Sequence, residues 1–207
     1  GPSGLAAVVV DAAGRNQIAV SAGANRAARA AQVEAIPPGA TLLMQMETPA
    51  AENAALIARG RAAGARLLLN LAPAASLPRE ALAALDLLIV NEQEAAWLAA
   101  ALGCAAEAEA LHAALGCGVA VTRGERGAEA ATRGERVSLP AFAVPVADTV
   151  GAGEAWCGVL AAALDRGAPL PAAMRRANAA AALACARPGA APAMPRAAAL
   201  EALLAGR

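Results

Sequence analysis

The stretch RLLLNLAPAASLPREALAALDLLIVNEQEAAWL, residues 66–98, decides the fold. RLLLN (66–70) and DLLIV (86–90) are short, almost wholly apolar runs bounded by Arg, Asn and Asp. A strand that is apolar at every position has no face for water. It is buried on both sides, as in a parallel sheet covered by helices. Residues 78–84 between them are helix-prone, and NEQEAAWL opens a second helix-prone run over 92–102. The order is strand, helix, strand, helix.

The pattern extends in both directions. TLLMQM (41–46) is a further apolar strand, joined to the first by a helix over about 50–63, and GVAVT (118–122) is the fourth, after a helix over 106–115. Strands alternating with helices specify an α/β domain with a mostly parallel central sheet between two helical layers. GAEAAT (127–132) and RVSLP (136–140) form a hairpin across 133–135. LAAVVVD (5–11) and NQIAVS (16–21) form another across AAGR (12–15). The C-terminal third is helical over 151–166, 171–186 and 195–205, with the Pro/Gly-rich loop RPGAAPAMP (187–195) before the last helix. The chain divides into a hairpin, 1–22, and an α/β domain, 23–207.

Bulk composition removes several function classes. Apolar residues make up 58% of the 207, which argues against disorder. With one Phe, two Trp and no Tyr, the core is built of Ala, Val and Leu and depends on many small contacts. Formal charge is zero and every basic residue is Arg. Without a basic stripe or aromatic platforms, nucleic acid is not a partner. The long apolar runs are broken by Arg, Asp or Glu, so no membrane span is expected, and no secretory signal is visible. Cys104, Cys117, Cys157 and Cys185 are widely spaced, and His112 has no Cys or His at ligand spacing. These are free thiols of a reducing, cytoplasmic compartment rather than a zinc site.

Ligands of open α/β sheets bind beyond the carboxyl ends of the strands. Glu47, Asn70, Asn91 with Glu94, and Thr122, Arg123 and Gly124 follow the four strands there. The stretch DTVGAGEAW (148–156) adds a glycine turn opening a helix, with a carboxylate in its first turn. A helix start offers unpaired N–H groups and a partial positive charge, and glycine lets a phosphate approach closely. Glu154 beside it has the chemistry to take a proton from a hydroxyl during phosphoryl transfer. On the pattern alone, the simpler interpretation is a glycine helix start with an acid on its dipole. The turn is neither a Walker loop nor GxGxxG, and it comes too late in the chain for a dinucleotide loop.

Six stretches occur in one order: LLMQMETP (42–49), LNLAPA (69–74), NEQEAAWL (91–98), VTRGERGAEA (121–130), DTVGAGEAWCGVLAAAL (148–164) and RANAAAALACARPGAAPAMP (176–195). Together they resemble the ribokinase group of the phosphofructokinase-B sugar-kinase family, from Ser3 almost to the C-terminus. The resemblance implies a three-layer αβα ribokinase-like fold with a partial β-hairpin lid over 1–22. It also implies ATP-dependent phosphorylation of a sugar hydroxyl, foremost the 5-hydroxyl of D-ribose. By that resemblance Gly151, Ala152 and Gly153 match an anion hole, and Glu154 falls at the catalytic-base position. Asn91 and Glu94 match an NxxE motif tied to magnesium and phosphate. Thr122 and Gly124 match an element beside the nucleotide phosphates, Asn178 a residue near the nucleoside, and Glu47 a sugar-side acid. Asp148, Val150, Ala184, Arg187 and Gly189 fall near a monovalent-cation loop, implying K⁺ beside Mg²⁺ and ATP. Pairing of lids implies a possible homodimer.

Each residue has a plainer alternative. Glu47 and Glu94 also read as solvated strand-end and helix acids, Asn178 as an exposed helix residue, Thr122 as a strand end and Asp148 as a turn cap, although for Glu94 and Asn178 the agreement of the neighbouring motifs favours the family roles. Trp97 and Trp156 are expected in packing, and His112 on a solvated helix face. The chain also departs from the family pattern. Glu replaces Asp at 154, moving the carboxylate by roughly 1.5 Å, one carbon–carbon bond. The chain begins at Gly1, near the second half of the family's lid, so it is expected to be N-terminally truncated, with a lone hairpin and an exposed sheet edge. A poor catalyst is therefore expected from this chain alone. The alternatives are a non-catalytic nucleotide-binding pseudokinase fragment, or a kinase for another sugar or nucleoside.

Overall fold

A computed structural model describes residues 1–10 and 16–206. The described residues form eight strands: β1 (Leu5–Val10), β2 (Asn16–Ser21), β3 (Thr41–Gln45), β4 (Arg66–Asn70), β5 (Leu87–Asn91), β6 (Gly118–Thr122), β7 (Ala128–Ala131) and β8 (Arg136–Leu139). The α-helices are α1 (Ala50–Ala62), α2 (Arg79–Ala83), α3 (Glu92–Leu102), α4 (Ala108–Leu115), α5 (Ala152–Asp165), α6 (Leu170–Cys185) and α7 (Ala197–Ala205).

Six strands form one sheet in the order β3-β4-β5-β6-β7-β8, with β3 to β6 parallel and β7 and β8 antiparallel. Each new parallel strand is added on the same side of the last. Right-handed crossovers then put α1 to α4 on one face of the sheet.

Alternation along each strand splits the apolar residues between two cores. Leu67, Leu69, Leu88, Val90, Val119 and Val121 pack with Ile57, Leu82, Leu98 and Leu111 on the α1–α4 side. Leu68, Leu87, Ile89 and Ala120 pack with Trp156, Leu160 and Met174 on the α5–α6 side. This is why RLLLN and DLLIV carry no polar alternation. Leu67, Leu68 and Leu69 are each 0% exposed, and burying a leucine contributes about 1.5–3 kcal/mol. A third cluster, including Phe142, Ala155, Ala180 and Leu200, joins α5, α6 and α7.

The direction of α5 fixes where its first turn lies. At its C-terminal end, Asp165 accepts a hydrogen bond from Thr41 (2.8 Å), and the Leu164 carbonyl accepts from Arg66. Thr41 and Arg66 begin β3 and β4. The 14 residues of α5 span about 21 Å at 1.5 Å per residue. Its N-terminus is therefore carried to the carboxyl ends of the parallel strands.

Among the described residues β1 and β2 pair only with each other, Leu5 opposite Ser21 and Val10 opposite Asn16. Leu5 and Val20 are 71% and 62% exposed. The expected connection over 12–15 lies outside the described residues. The segment after the hairpin is tied to α1: Glu52 accepts from the Ala30 N–H (2.8 Å), and Arg59 donates to the carbonyls of Ala30 and Val33. At the sheet edge Leu43 is 41% exposed, and no strand among the described residues pairs with the outer side of β3. No helix of the described residues is long and apolar enough to cross a membrane.

Two expectations about side chains change. Trp97 is 40% exposed rather than packed, because α3 turns Ala95, Leu98 and Ala99 to the core and leaves 96 and 97 outward. His112 is half-buried rather than solvated, its Nδ1 2.6 Å from the Cys117 carbonyl, which ties the end of α4 to the start of β6.

Candidate active site

The GAGE turn opens α5. Gly151 is its N-cap, with φ of 82°, a left-handed conformation that glycine adopts without strain. It is also pressed against the next loop: a Cβ at Gly151 would lie 3.0 Å from Met194 Cε and 3.2 Å from Ala190 Cα. Gly153 is different, because a Cβ there would meet nothing within 4 Å. Glu154 is exposed. α5 has no side-chain cap, and the N–H groups of Gly153 and Glu154 meet no acceptor among the described residues. The turn combines free donors, open space and a carboxylate.

The start of α3, at the carboxyl end of β5, is built the opposite way. Asn91 Oδ1 accepts from the Glu94 N–H (2.9 Å), and Glu94 Oε2 accepts from the Asn91 N–H (2.8 Å). This reciprocal capping box satisfies two helix-start donors. Glu94 is 8% exposed, so a solvated acid is excluded there. Burial pushes its carboxyl above the ordinary range, against the lowering pull of the Asn91 N–H.

Glu94 and Glu154 share a neighbour. Cys157, 6% exposed, has its thiol pushed up to about 12 by burial, with the charges of Glu154 and Glu94 adding to the shift. The first turns of α3 and α5 therefore lie within electrostatic reach of one group, and Cys157 is inert packing beneath them. Thr122 ends β6 directly beside Asn91, and among the described residues its hydroxyl makes only a long contact to the Val90 carbonyl (3.5 Å). Gly124 follows with φ of 54°.

Glu47 is exposed beyond β3, two strand spacings from β5 and so about 10 Å from Asn91 across the sheet. Its loop is held by Asn53, a buried residue that composition and motif did not single out. Asn53 Nδ2 donates to the Gln45 carbonyl (2.8 Å), and its Oδ1 accepts from the Thr48 hydroxyl (3.1 Å).

Asn178 is 5% exposed, which excludes an ordinary surface position. Its Oδ1 accepts from Trp156 Nε1 (2.8 Å), and its Nδ2 donates to the carbonyls of Pro140 (3.0 Å) and Leu139 (3.4 Å). The amide ties α6 to the end of β8 and to α5 at Trp156, two residues beyond Glu154.

The loops expected to hold a monovalent cation do meet. Asp148 accepts from the N–H groups of Gly189 (2.9 Å) and Val150 (3.1 Å). Those two donors, the Gly189 N–H first, hold its carboxyl below the usual range. The Cys185 carbonyl accepts from the N–H groups of Ala147 (2.8 Å) and Asp148 (3.2 Å), and the Ala184 carbonyl accepts from Arg187 (3.3 Å). Asp148, Val150, Ala184, Arg187 and Gly189 thus belong to one backbone assembly behind the GAGE turn.

No group of three or more His, Cys, Asp or Glu side chains able to hold a metal occurs among the described residues. One buried carboxylate, Glu94, suits a magnesium ion carried mainly by phosphate oxygens and water, the usual manner of that ion, and does not suit an all-protein cage. Two surface depressions, about 390 Å³ against Arg175 and Glu201 and about 340 Å³ against Ile57 and Arg61, include none of these site residues. The strand-end groups lie apart from both.

Sequence reasoning also missed the ion pairs around β6. Arg123 contacts Glu129 (2.7 Å) and Glu92 (3.4 Å), and Arg126 pairs with Glu92. The adjacent TRGER and NEQE stretches contained these charges, but only the β5–β6 register brings them together.

Fold and site together define a three-layer α/β domain of ribokinase type. Residues 1–197 match the pfkB family of carbohydrate kinases, and the chain belongs to that family. It is 34% identical over 206 residues to ribokinase of Bacillus subtilis, covering 98% of this chain and 69% of that one. To the bifunctional ribokinase/ribose-5-phosphate isomerase A of Fructilactobacillus sanfranciscensis it is 32% identical over 172 residues, covering 79% and 32%. The chain thus spans between about a third and about two thirds of the length of these curated relatives. Among solved structures, ribokinase of Thermotoga maritima superposes with a TM-score of 0.90 at 29% identity, over 99% of this chain and 70% of that one. Arabidopsis thaliana ribokinase complexed with ribose and ATP gives 0.82 at 27% identity, over 98% and 69%.

Proposed function

We propose that the chain carries the phosphoryl-transfer site of an ATP-dependent sugar kinase whose acceptor is the 5-hydroxyl of D-ribose. One observation carries the proposal. The uncapped GAGE turn, with its free N–H groups and exposed Glu154, stands at the same end of the sheet as the Asn91–Glu94 box and Thr122. The ribose and ATP complex of the Arabidopsis relative supports the choice of ligands.

In this mechanism Glu154 takes the proton of the attacking hydroxyl. The N–H groups of the turn 151–154 stabilise the charge that builds on the transferring phosphoryl group. Thr122 and Gly124 hold the nucleotide phosphates, Asn178 shapes the nucleoside side by fixing α5, and Glu47 orients the sugar. Bound Mg²⁺ would supply charge neutralisation of the phosphates, with Asn91 and Glu94 beside it. K⁺ would sit among the carbonyls around Asp148, Val150, Ala184, Arg187 and Gly189, setting the loop behind the turn. The β1–β2 hairpin acts as part of a lid, in a cytoplasmic enzyme that pairs through it.

The test is a coupled assay of ADP release with ribose, ATP, Mg²⁺ and K⁺. Ribose-dependent release lost in Glu154→Gln supports the kinase. Glu154 carries one methylene more than aspartate, and a misplacement of about 1 Å costs on the order of 10²-fold, so slow turnover is the expected result. ATP binding with no sugar-dependent release in any condition would instead mark a non-catalytic nucleotide module.

A further inference from the structure

The pair of arginines after β6 is occupied by a residue that no motif explains. Arg123 and Arg126 flank Gly124, directly after Thr122, whose register partner is Asn91. Glu92 is the next residue after Asn91, and a single oxygen, Oε1, takes Arg126 and lies 3.4 Å from Arg123. Glu129 Oε1 holds Arg123 from the other side at 2.7 Å and also accepts from the Ala108 N–H (2.8 Å), so that carboxylate is tied into the frame. The Glu92 carboxylate is not anchored in this way, and its polar partners among the described residues are the two arginines. The hydrogen bond to Glu129 raises the Arg123 pKa further, with the charges of Glu129, Glu92 and Glu107 adding to it. The cations beside the phosphate end are therefore surrounded by acids.

We propose that Glu92 limits nucleotide affinity by occupying Arg126 and Arg123, and that the polyphosphate of a nucleotide takes Arg126 from it. This rests on the nucleotide site proposed above. The side chains of Glu92 and Arg126 are 44% and 63% exposed. Exposed pairs are weak and exchange partners at little cost. A polyphosphate offers Arg126 several anionic oxygens in place of one carboxylate, and a guanidinium is well matched to phosphate. Glu92 also repels the incoming charge. Both effects grow with the number of phosphates, so Glu92 sets discrimination among ATP, ADP and AMP as well as affinity.

The experiment is calorimetric titration of the whole chain with the magnesium salts of ATP, ADP and AMP. It compares wild type, Glu92→Gln, Arg126→Gln and the double variant. Removing the Glu92 charge is expected to tighten ATP about threefold to tenfold, as loss of two exposed pairs allows, and AMP by less than about twofold. Arg126→Gln is expected to weaken ATP by a similar factor, and the gain from Glu92→Gln shrinks in its background. Loss of fold cannot produce opposite signs in the two single variants, and Glu92→Ala repeats the charge removal if the Gln variant does not fold. ATP binding unchanged by Glu92→Gln, or tightened equally for AMP, overturns the inference alone. No ATP binding by any variant overturns it together with the nucleotide site.

Discussion

Two helices of this chain begin at the same end of the same sheet, and they begin in opposite ways. α3 is closed: Asn91 and Glu94 satisfy each other's backbone donors, and Glu94 is buried in doing so. α5 is open: its N-cap is a glycine with no side chain, the N–H groups of Gly153 and Glu154 are unpaired among the described residues, and its acid is exposed. A closed helix start is a finished piece of structure. An open one beside it leaves donors that a ligand can take. On the proposed reading α5 meets the phosphoryl group, while α3 sets the frame and carries Asn91 and Glu94 beside the magnesium ion.

The strongest way to break this contrast is at Gly151. A side chain there must adopt φ of 82° and press on Ala190 and Met194. Gly151→Ala is expected to destabilise the fold by roughly 2–4 kcal/mol, backbone strain and crowding together. Chemical denaturation measures the loss, which should appear as a lower midpoint with an unchanged slope. A loss below about 0.5 kcal/mol, within the usual range of neutral surface changes, would show that the loop 190–194 yields easily and that the turn is not rigidly held.

Asn91→Ala strips α3 of its cap. It should cost about 1 kcal/mol, the usual value of a lost N-cap, and it makes α3 resemble α5. If the closed start is only frame, stability falls and a stabilised background recovers ATP affinity. If affinity stays low in such a background, Asn91 touches the ligand as well.

Much of this arrangement is legible in the sequence. Residues 67–69, 87–90 and 119–121 are apolar without alternation because each strand feeds two cores, and this doubling is what a parallel sheet between two helical layers requires. Gly151 and the helix after it are legible because glycine and a long apolar run mark a start. The facing of the helices is not. α6 is so rich in alanine after Arg176 that buried Ala179, Ala180 and Ala182 cannot be told by residue type from half-buried Ala181. Asn178 consequently looks like a surface residue until Trp156 Nε1 is found at 2.8 Å. The burial of Glu94 is hidden for a related reason, since a capping box has the same sequence whether water or protein lies above it. Glu92 and Arg126 are 34 residues apart and belong together only through strand register.

Gly153→Ala sharpens the contrast with the sign reversed. The added methyl group meets nothing within 4 Å, and alanine is favoured over glycine in a helix by about 0.5–1 kcal/mol. The protein is expected to become slightly more stable in thermal unfolding while ATP binding weakens, because the methyl group occupies the approach to the open N–H groups. Stability and affinity rising together would mean that no phosphate comes close to this turn.

The smallest effect is in acid, where the two sides of the comparison should titrate in opposite directions. Asp148, behind the open turn, is held below the ordinary carboxyl range by the N–H groups of Gly189 and Val150. A depressed carboxyl stabilises the fold above its unfolded value, about pH 4, and that contribution is lost as pH falls through the lower folded value. Glu94, in the closed start, is raised by burial. Its protonation favours the folded state, so its contribution is full below the unfolded value and is lost as pH rises through the folded one. Asp148→Asn should therefore flatten the acid limb of a plot of unfolding midpoint against pH. Glu94→Gln should steepen that limb, because it removes a gain that partly offsets the loss at Asp148. Changes of the same sign in both variants would show that the two carboxyls do not answer to the separate environments seen here, one tied to loop N–H groups and the other buried beneath a helix start.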